Sequence, residues 1–311
     1  MALFLKFKKL DIETGSNKYI VVLNEKEAEN QSIFPGDKIT LQWRGQKKVV
    51  VEVNLSDNLV RPGQIGIYED IWKKFALANQ EIAEIHLLGK LSSIQAIKKR
   101  IYGSALSKEE MNLIIEDVVA GRLDSVPISF FIASSFVLPY SEDELFYLTR
   151  AMVVNGDTLK FPKGKVIADL HSVGGVAGNR TTLVVVPIVA ALGLTIPKTF
   201  SRAITQPSGT GDTMEVLAPV TFTTQEMKKI VDKIGACLVW GGGVNLAPAD
   251  DHIIKVTFRL SLEVYDKMIA SIMAKKAAAG ITHLILYMPV GLTTKIPNLK
   301  VAAKLKGKFE R

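Results

Sequence analysis

Between residues 165 and 193 a short apolar stretch, Lys165-Val-Ile-Ala-Asp169, runs directly into a glycine-rich segment, His171-Ser-Val-Gly-Gly-Val-Ala-Gly-Asn179. That segment runs in turn into Thr181–Gly193, which is apolar nearly all round. This handover constrains the chain more than any other feature. A buried strand that feeds a helix through a glycine turn is the repeating unit of an α/β layer on a parallel sheet. The pattern predicts a strand over 165–169, a turn opening at His171, and a mostly buried helix over 181–193, with composition alone leaving strand open for the last. Leu238-Val239 and Leu284–Met288 read as further strands. Thr223 with Glu226 caps a helix, and residues 264–279 read as one helix between sheet elements.

Upstream the patterning differs. Residues 1–84 read as a small β-rich domain. Lys18–Leu23 is a strand candidate, and Lys38–Trp43 and Lys48–Val53 alternate polar with apolar around a hairpin turn at Arg44-Gly-Gln-Lys47. Pro35-Gly36 and Pro62-Gly63 are turn signals, each followed by a β-like stretch, which hints at a weak internal duplication. From 85 the period becomes helical. Ser107 with Glu110 and Ser141 with Glu144 form capping boxes, and Ser125-Val-Pro-Ile-Ser129 opens a helix whose first turn tolerates Pro127.

With 311 residues there is room for two or three domains, each with its own core. The single cysteine, Cys237, excludes an internal disulfide framework and fits a reducing compartment. No signal peptide is visible, and the run Leu183–Ile196 is too short to span a bilayer and contains Pro187, so the expected location is the cytoplasm. The net charge is +8, half of it in the tail with Lys300, Lys304, Lys306, Lys308 and Arg311 against Glu310. A solvated helix face accounts for that run. Neither aromatic interleaving nor zinc spacing accompanies it, so the expectation is no specific nucleic acid and no membrane.

Four constellations could carry chemistry. In His171–Thr182 the glycines let backbone N–H groups approach an anion at a helix start, with hydroxyls from Ser172, Thr181 and Thr182. It has neither the Walker ending nor the dinucleotide spacing, and a tight structural turn would look the same. In Ser201–Thr213, Arg202 can pair bidentately with phosphate beside the donor-rich Ser208-Gly-Thr-Gly. Two such loops in one α/β domain favour a phosphate site over two capped surface turns. Trp240-Gly-Gly-Gly-Val-Asn-Leu-Ala-Pro-Ala-Asp-Asp251 implies close backbone packing or a hinge. Asp250 and Asp251 have no third ligand at regular spacing, so the spacing does not make a metal site. Finally, Ser271 and Lys275 stand four apart and share a helix face.

Five ordered motifs together closely resemble the family of AMP phosphorylases and type 2 thymidine phosphorylases, over about residues 8–297. They are Asp169-Leu-His-Ser-Val-Gly-Gly-Val-Ala-Gly-Asn-Arg, Ile196-Pro-Lys-Thr-Phe-Ser-Arg-Ala-Ile-Thr, Gly209-Thr-Gly-Asp-Thr-Met-Glu-Val-Leu, the Trp240–Asp251 segment, and Ala270-Ser-Ile-Met-Ala-Lys-Lys. The resemblance implies a multidomain α/β protein. Its parts would be a β-rich N-terminal domain (1–84), an all-helical domain (85–160, with 262–278 returning to it) and an incomplete parallel-sheet α/β phosphorylase domain (161–311). It implies a pentosyltransferase reaction: inorganic phosphate attacks the ribosyl C1 and the base departs, so that AMP yields adenine and ribose 1,5-bisphosphate. Thymidine phosphorolysis and a non-catalytic nucleotide-binding or truncated paralogue are the alternatives. It further implies no metal or organic cofactor, and a homodimer formed through the helical domain.

Residue by residue, the resemblance makes Gly175 a nucleotide or phosphate contact. Ser201, Arg202, Ala203, Ile204, Thr205 and Gln206 form a second ligand loop, with Thr210 as its downstream hydroxyl. Ser271 and Lys295 are further nucleotide contacts, and His171, Ser172 and Lys275 line the phosphate and base sites. Glu263 takes the place of the aspartate that protonates the leaving base. The chain departs from the family pattern in having Leu170 where a lysine precedes the histidine and Phe200 where a serine stands. Gln206 replaces a second-loop serine, and Lys255 approximates an arginine near the base. The implied consequence of Leu170 and Phe200 is reduced turnover.

Overall fold

The computed structural model describes residues 3–15, 19–45, 47–89, 91–173, 176, 180–200, 209–259, 265–292 and 294–310. They divide into two compact units, Met1–Leu91 with Ala120–Arg122, and Ser92–Val119 with Leu123–Arg311.

The first unit is a closed six-stranded barrel. Its elements are β1 (Leu3–Leu10), β2 (Ile20–Leu23), α1 (Glu25–Asn30), β3 (Lys38–Trp43), β4 (Lys47–Leu55), β5 (Gln64–Tyr68), α2 (Glu69–Phe75) and β6 (Ile82–Leu87), and the strand order is β1-β5-β2-β4-β3-β6. Alternation drives it: along β3, Ile39, Leu41 and Trp43 point into the core while their neighbours are half-exposed. Arg44 and Gly45 both take positive φ, +51° and +73°, the tight hairpin geometry that the sequence signals between β3 and β4. The unit extends past the boundary expected at residue 84, because β6 closes the barrel against β1 and β3.

The strand pairing has a twofold pattern. Exchanging β1, β2, β3 with β4, β5, β6 turns the parallel pair β1–β5 into the parallel pair β4–β2, and the antiparallel pair β3–β4 into β6–β1. The two Pro-Gly pairs are not its equivalent points, since one precedes β3 and the other β5.

The second unit holds α3 (Ser92–Ile101), α4 (Lys108–Val119), α5 (Ser125–Val137) and α6 (Glu142–Val154). They are followed by β7 (Ala168–Ser172), α7 (Thr181–Ala191), β8 (Ile196–Phe200), α8 (Thr210–Glu215) and α9 (Thr224–Ile234). Last come β9 (Ala236–Trp240), α10 (Pro248–Arg259), α11 (Tyr265–Ala278), β10 (His283–Tyr287) and α12 (Leu299–Phe309). The predicted capping boxes form at Ser107/Glu110, Ser141/Glu144 and Thr223/Glu226. Helix α5 opens at Ser125 as expected, and Asp124 before it is the cap, accepting from the Val126 N–H at 2.8 Å. Helix α11 packs against α6, and α10 against α4 and α5.

Two parallel strand pairs, β10–β7 and β8–β9, make the α/β layer, and a single bridge, Ile167 to Thr195, joins β7 to β8. Strand β7 lies three residues later than expected, so His171 and Ser172 are its last two residues and not the start of the turn. The expectation of a mostly buried α7 is corrected: only Thr182 and Val186 are buried, and Val184, Ile188 and Leu192 are exposed. After α11 the chain turns at Gly280 with φ +70°, where an added Cβ would lie 2.8 Å from the Leu159 carbonyl. No helix among the described residues is long and apolar enough to cross a membrane.

Candidate functional site

The C-terminal end of β7 presents two adjacent polar side chains. His171 Nδ1 and Ser172 Oγ are buried, and neither has a hydrogen-bond partner among the described residues. Successive strand residues point to opposite faces, so the two atoms flank the strand end. Buried polar atoms normally find partners, and orphaned ones at a strand terminus in an α/β layer mark a place for a ligand. Burial, and then the charges of Lys276, Lys198 and Lys275, hold the His171 imidazole well below the usual histidine range, so it is neutral at physiological pH.

Behind these two atoms lies a buried ionic cluster. Lys198 in mid-β8 stands 3.3 Å from Asp169 Oδ1 and donates to the Leu170 carbonyl at 2.5 Å. Lys276 from α11 stands 2.6 Å from Asp169 Oδ2. The three side chains are 4%, 4% and 0% exposed. Burial first, then the like charge of Lys276, pushes the Lys198 ammonium down to about 7, against the pull of Asp169. The Lys198–Leu170 bond takes a carbonyl at a level of the sheet where β7 and β8 have no ladder between them.

One face of α11 builds a second cluster. Lys267, Ser271 and Lys275 recur every four residues and converge on Asp250 of α10. Lys275 Nζ and Ser271 Oγ each lie 2.6 Å from Asp250 Oδ2, and Lys267 is 3.6 Å from Oδ1. Burial alone would raise the Asp250 carboxyl, but Lys275 and Lys267 outweigh it and hold it below the usual range. Lys275 is correspondingly raised, burial being overcome by Asp250 and Asp251. Lys267 is lowered, chiefly by burial. The Asp250 carboxylate is thus engaged by two ammonium groups and a hydroxyl, and among the described residues no cluster of three potential metal ligands occurs. Asp251 is raised, chiefly by burial, and feels Lys275 and Lys255.

Of the residues expected from sequence, the structure brings together His171, Ser172, Ser271 and Lys275, since Lys275 acts on His171 electrostatically. Lys295 is near enough to Lys267 to press on it, and its carbonyl accepts from the Tyr265 hydroxyl at 3.1 Å. Thr210 opens the short helix α8, where the Asp212 carboxylate accepts the Gly209 N–H. Gly175, Ser201, Arg202, Ala203, Ile204, Thr205, Gln206 and Glu263 lie outside the described residues. Leu170 in the middle of β7 and Phe200 at the end of β8 are both buried. Sequence reasoning passed over Lys198, Lys276, Asp169 and Lys267. The available signal was a lysine in the middle of the five-residue strand Ile196-Pro-Lys-Thr-Phe200, all of it buried.

Two family models match the chain, each starting within the second unit. Residues 94–156 match the helical bundle domain of the glycosyl transferase family, and residues 164–289 match its a/b domain. An AMP phosphorylase of Methanocella arvoryzae is 42% identical over 305 residues, 98% of this chain and 60% of that protein. One from Pyrococcus furiosus is 43% identical over 304 residues, 98% and 59%. AMP phosphorylase 1 of Archaeoglobus fulgidus is 38% identical over 303 residues, 97% and 60%. The chain therefore spans about 60% of the length of the curated relatives it matches. Among solved structures, anthranilate phosphoribosyltransferase from Thermus thermophilus superposes with a TM-score of 0.56 at 20% identity, covering 70% of this chain and 62% of that one, a likeness of fold.

Proposed function

The chain belongs to the AMP phosphorylase family, and from that membership we propose that it carries the phosphate and base sites for phosphorolysis of AMP. An oxygen of inorganic phosphate forms a bond to C1′ of the ribosyl group as the C1′–N bond to adenine breaks. The bonding pair leaves on the base, which is protonated, and ribose 1,5-bisphosphate is formed. The barrier is lowered by holding the phosphate in line and stabilising the departing base. The observation that carries the reading is the pair His171 Nδ1 and Ser172 Oγ, buried without a partner among the described residues, with His171 in the field of Lys276, Lys198 and Lys275. A phosphate supplies the charge those lysines lack. Through an oxygen or a hydroxyl it also supplies the partner each orphaned atom lacks.

Ser271 and Lys275, already oriented by Asp250, are assigned to the base side with Lys295. Gly175, the 201–206 loop and Thr210 are assigned to the nucleotide, and Glu263 to protonation of the base. No metal or organic cofactor is required by this chemistry. AMP is preferred over thymidine because the relatives named above are AMP phosphorylases. The domain reading, 85–160 helical with 262–278 returning to it, is supported by the packing of α11 on α6. A homodimer through this bundle is supported by α5. It exposes Val126, Phe130, Ala133 and Val137 at helical spacing, an apolar stripe of the kind a partner covers.

The test is release of adenine from AMP with saturating phosphate, with thymidine as the competing substrate and calorimetric titration of inorganic phosphate alongside. Phosphate-dependent adenine release, slow because of Leu170 and Phe200, is expected. Absence of both phosphate binding and adenine release, or a preference for thymidine, would overturn it.

A further inference from the structure

The cluster behind His171 and Ser172 is unbalanced. Two ammonium groups, Lys198 and Lys276, share the one carboxylate of Asp169, and all three side chains are within 4% of complete burial. Taking an ion pair out of water is already costly, and an extra buried cation without a counter-ion costs more. A fold tolerates such an excess where a ligand's opposite charge completes it, and in that case the cluster lies next to unsatisfied donors aimed at the same place. The observations here fit this: His171 lies two residues beyond Asp169 on the same face of β7, feels both Lys198 and Lys276, and its Nδ1 has no partner among the described residues, while Ser172 Oγ, likewise without one, flanks the strand end on the other face.

We propose that Lys198 and Lys276, held on Asp169, supply the buried positive charge that fixes a phosphate group at the end of β7. This rests on the reading of the site as a phosphate site and assigns its counter-charge to residues that the strand-end loops do not contain. Lys198 and Lys276 are positioning residues. Lys198 is pinned by the Leu170 carbonyl and Asp169, and Lys276 lies on Asp169 with Thr199 Oγ1 at 3.5 Å, so neither needs to leave its partner to act. Their charge acts across a low-dielectric interior, where screening by water is weak. The same chemistry serves inorganic phosphate and the 5′-phosphate of a nucleotide.

The experiment titrates the full chain with inorganic phosphate, AMP and adenosine by calorimetry, and follows folding by circular dichroism. Lys198→Met and Lys276→Met are each expected to weaken phosphate binding about tenfold or more and to leave adenosine binding in place. Loss confined to inorganic phosphate identifies the attacking phosphate as the occupant, and loss confined to AMP identifies the 5′-phosphate. Asp169→Asn raises the net buried charge and is expected to hold or tighten phosphate affinity while lowering the melting temperature.

A purely structural role moves all three variants the same way, and that result would overturn the proposal. Because Asp169→Asn leaves two unpaired ammonium groups and can fail to fold, the double variant Asp169→Asn/Lys276→Met restores the wild-type excess of one charge. It is expected to bind phosphate within about threefold of wild type, and failure to do so also counts against the proposal. If the wild-type chain binds neither phosphate nor AMP, the phosphorylase reading falls. If it binds and the lysine variants are unaffected, only this inference falls.

Discussion

Two buried ionic clusters in the second unit have similar burial and opposite composition. In the helical bundle Arg100 of α3 meets Glu144 of α6 one to one, with side chains 0% and 4% exposed. The guanidinium also donates to the Leu138 carbonyl at 2.6 Å and lies over the Tyr140 ring, while Glu144 accepts from the Leu106 and Ser141 N–H groups at 3.0 and 3.1 Å. At the sheet, Lys198 and Lys276 share Asp169 two to one, beside donors with no partner among the described residues. The first cluster is balanced in charge, although Arg100 Nε has no hydrogen-bond partner among the described residues, and it ties α3, α6 and their loops together. Among the described residues the second is one negative charge short, and both of its lysines act on His171 near the end of β7. Burial of charge is therefore weak evidence of function by itself, and the residual charge is the informative quantity.

The largest effect should come from breaking the balanced cluster. Arg100→Met strands the Glu144 carboxylate in the interior and should cost about 3–5 kcal/mol of unfolding free energy, read from denaturant titration. A loss under about 1 kcal/mol would mean that the pair is no more than a surface-like contact, and the contrast between the clusters would dissolve. Phosphate affinity of the folded fraction should not change.

Next in size is the effect of completing the strand-end site. Leu170→Lys with Phe200→Ser places a cation one residue before His171 and a hydroxyl at the end of β8, and should raise the rate of adenine release from AMP about tenfold to a thousandfold, equal to about 1.4–4 kcal/mol of transition-state stabilisation. The two changes act on one phosphate and need not add. An unchanged rate would show that Leu170 and Phe200 do not limit turnover, and would leave the buried lysines as a sufficient counter-charge.

The two clusters differed in how readable they were. Glu144 was legible because it also closes a capping box, three residues after Ser141, a local signal with a fixed spacing. The β-rich character of the first unit was legible for a similar reason, since β3 alternates and Arg44-Gly45 signals the turn into β4, but its closure into a barrel was not. Strand β6 was missed, although Ile82–Leu87 does alternate, because it closes the barrel by pairing with the distant β1 and β3. His171, Ser172, Ser271 and Lys275 were found through motif resemblance. Lys198, Lys276 and Asp169 escaped because three elements far apart in sequence assemble them, and no spacing encodes that. The burial of α7 was over-read, since an apolar run fixes what a helix can cover and not what covers it.

A smaller effect tests the charge of Lys198 directly. Its ammonium is held down to about 7 by burial and by Lys276. The groups facing it are Asp169 and neutral His171 from β7, Lys276 from α11, and Cys237 from β9, whose thiol is pushed up to about 12 by burial and stays neutral. Sulfate keeps its charge through this range, so its affinity reports on the protein. It should fall severalfold, on the order of fivefold, as pH rises from about 6 to about 8.5, and Lys198→Met should abolish that dependence. A flat wild-type profile would show that Lys198 keeps its proton and does not titrate with the site.

The smallest effect is the most discriminating for the comparison. Lys198→Met leaves Asp169 with Lys276, a balanced pair, and puts an apolar side chain of similar length into a buried strand. The unfolding free energy at neutral pH should change by less than about 1 kcal/mol, in contrast to Arg100→Met. The sign with pH follows from linkage. The group's folded value is about 7 against 10.5 for an ordinary lysine, so between those limits the unfolded chain binds more protons. Wild-type stability therefore carries a penalty from Lys198 that is full below about 7 and is relieved as pH rises towards 10.5. The variant lacks that penalty, so its advantage over wild type should be greatest near neutrality and shrink towards pH 10. Denaturant melts of both proteins at several pH values measure the difference. A Lys198→Met chain destabilised as severely as Arg100→Met, with no narrowing of the gap at high pH, would place Lys198 in a complete structural pair and remove the distinction between the two clusters.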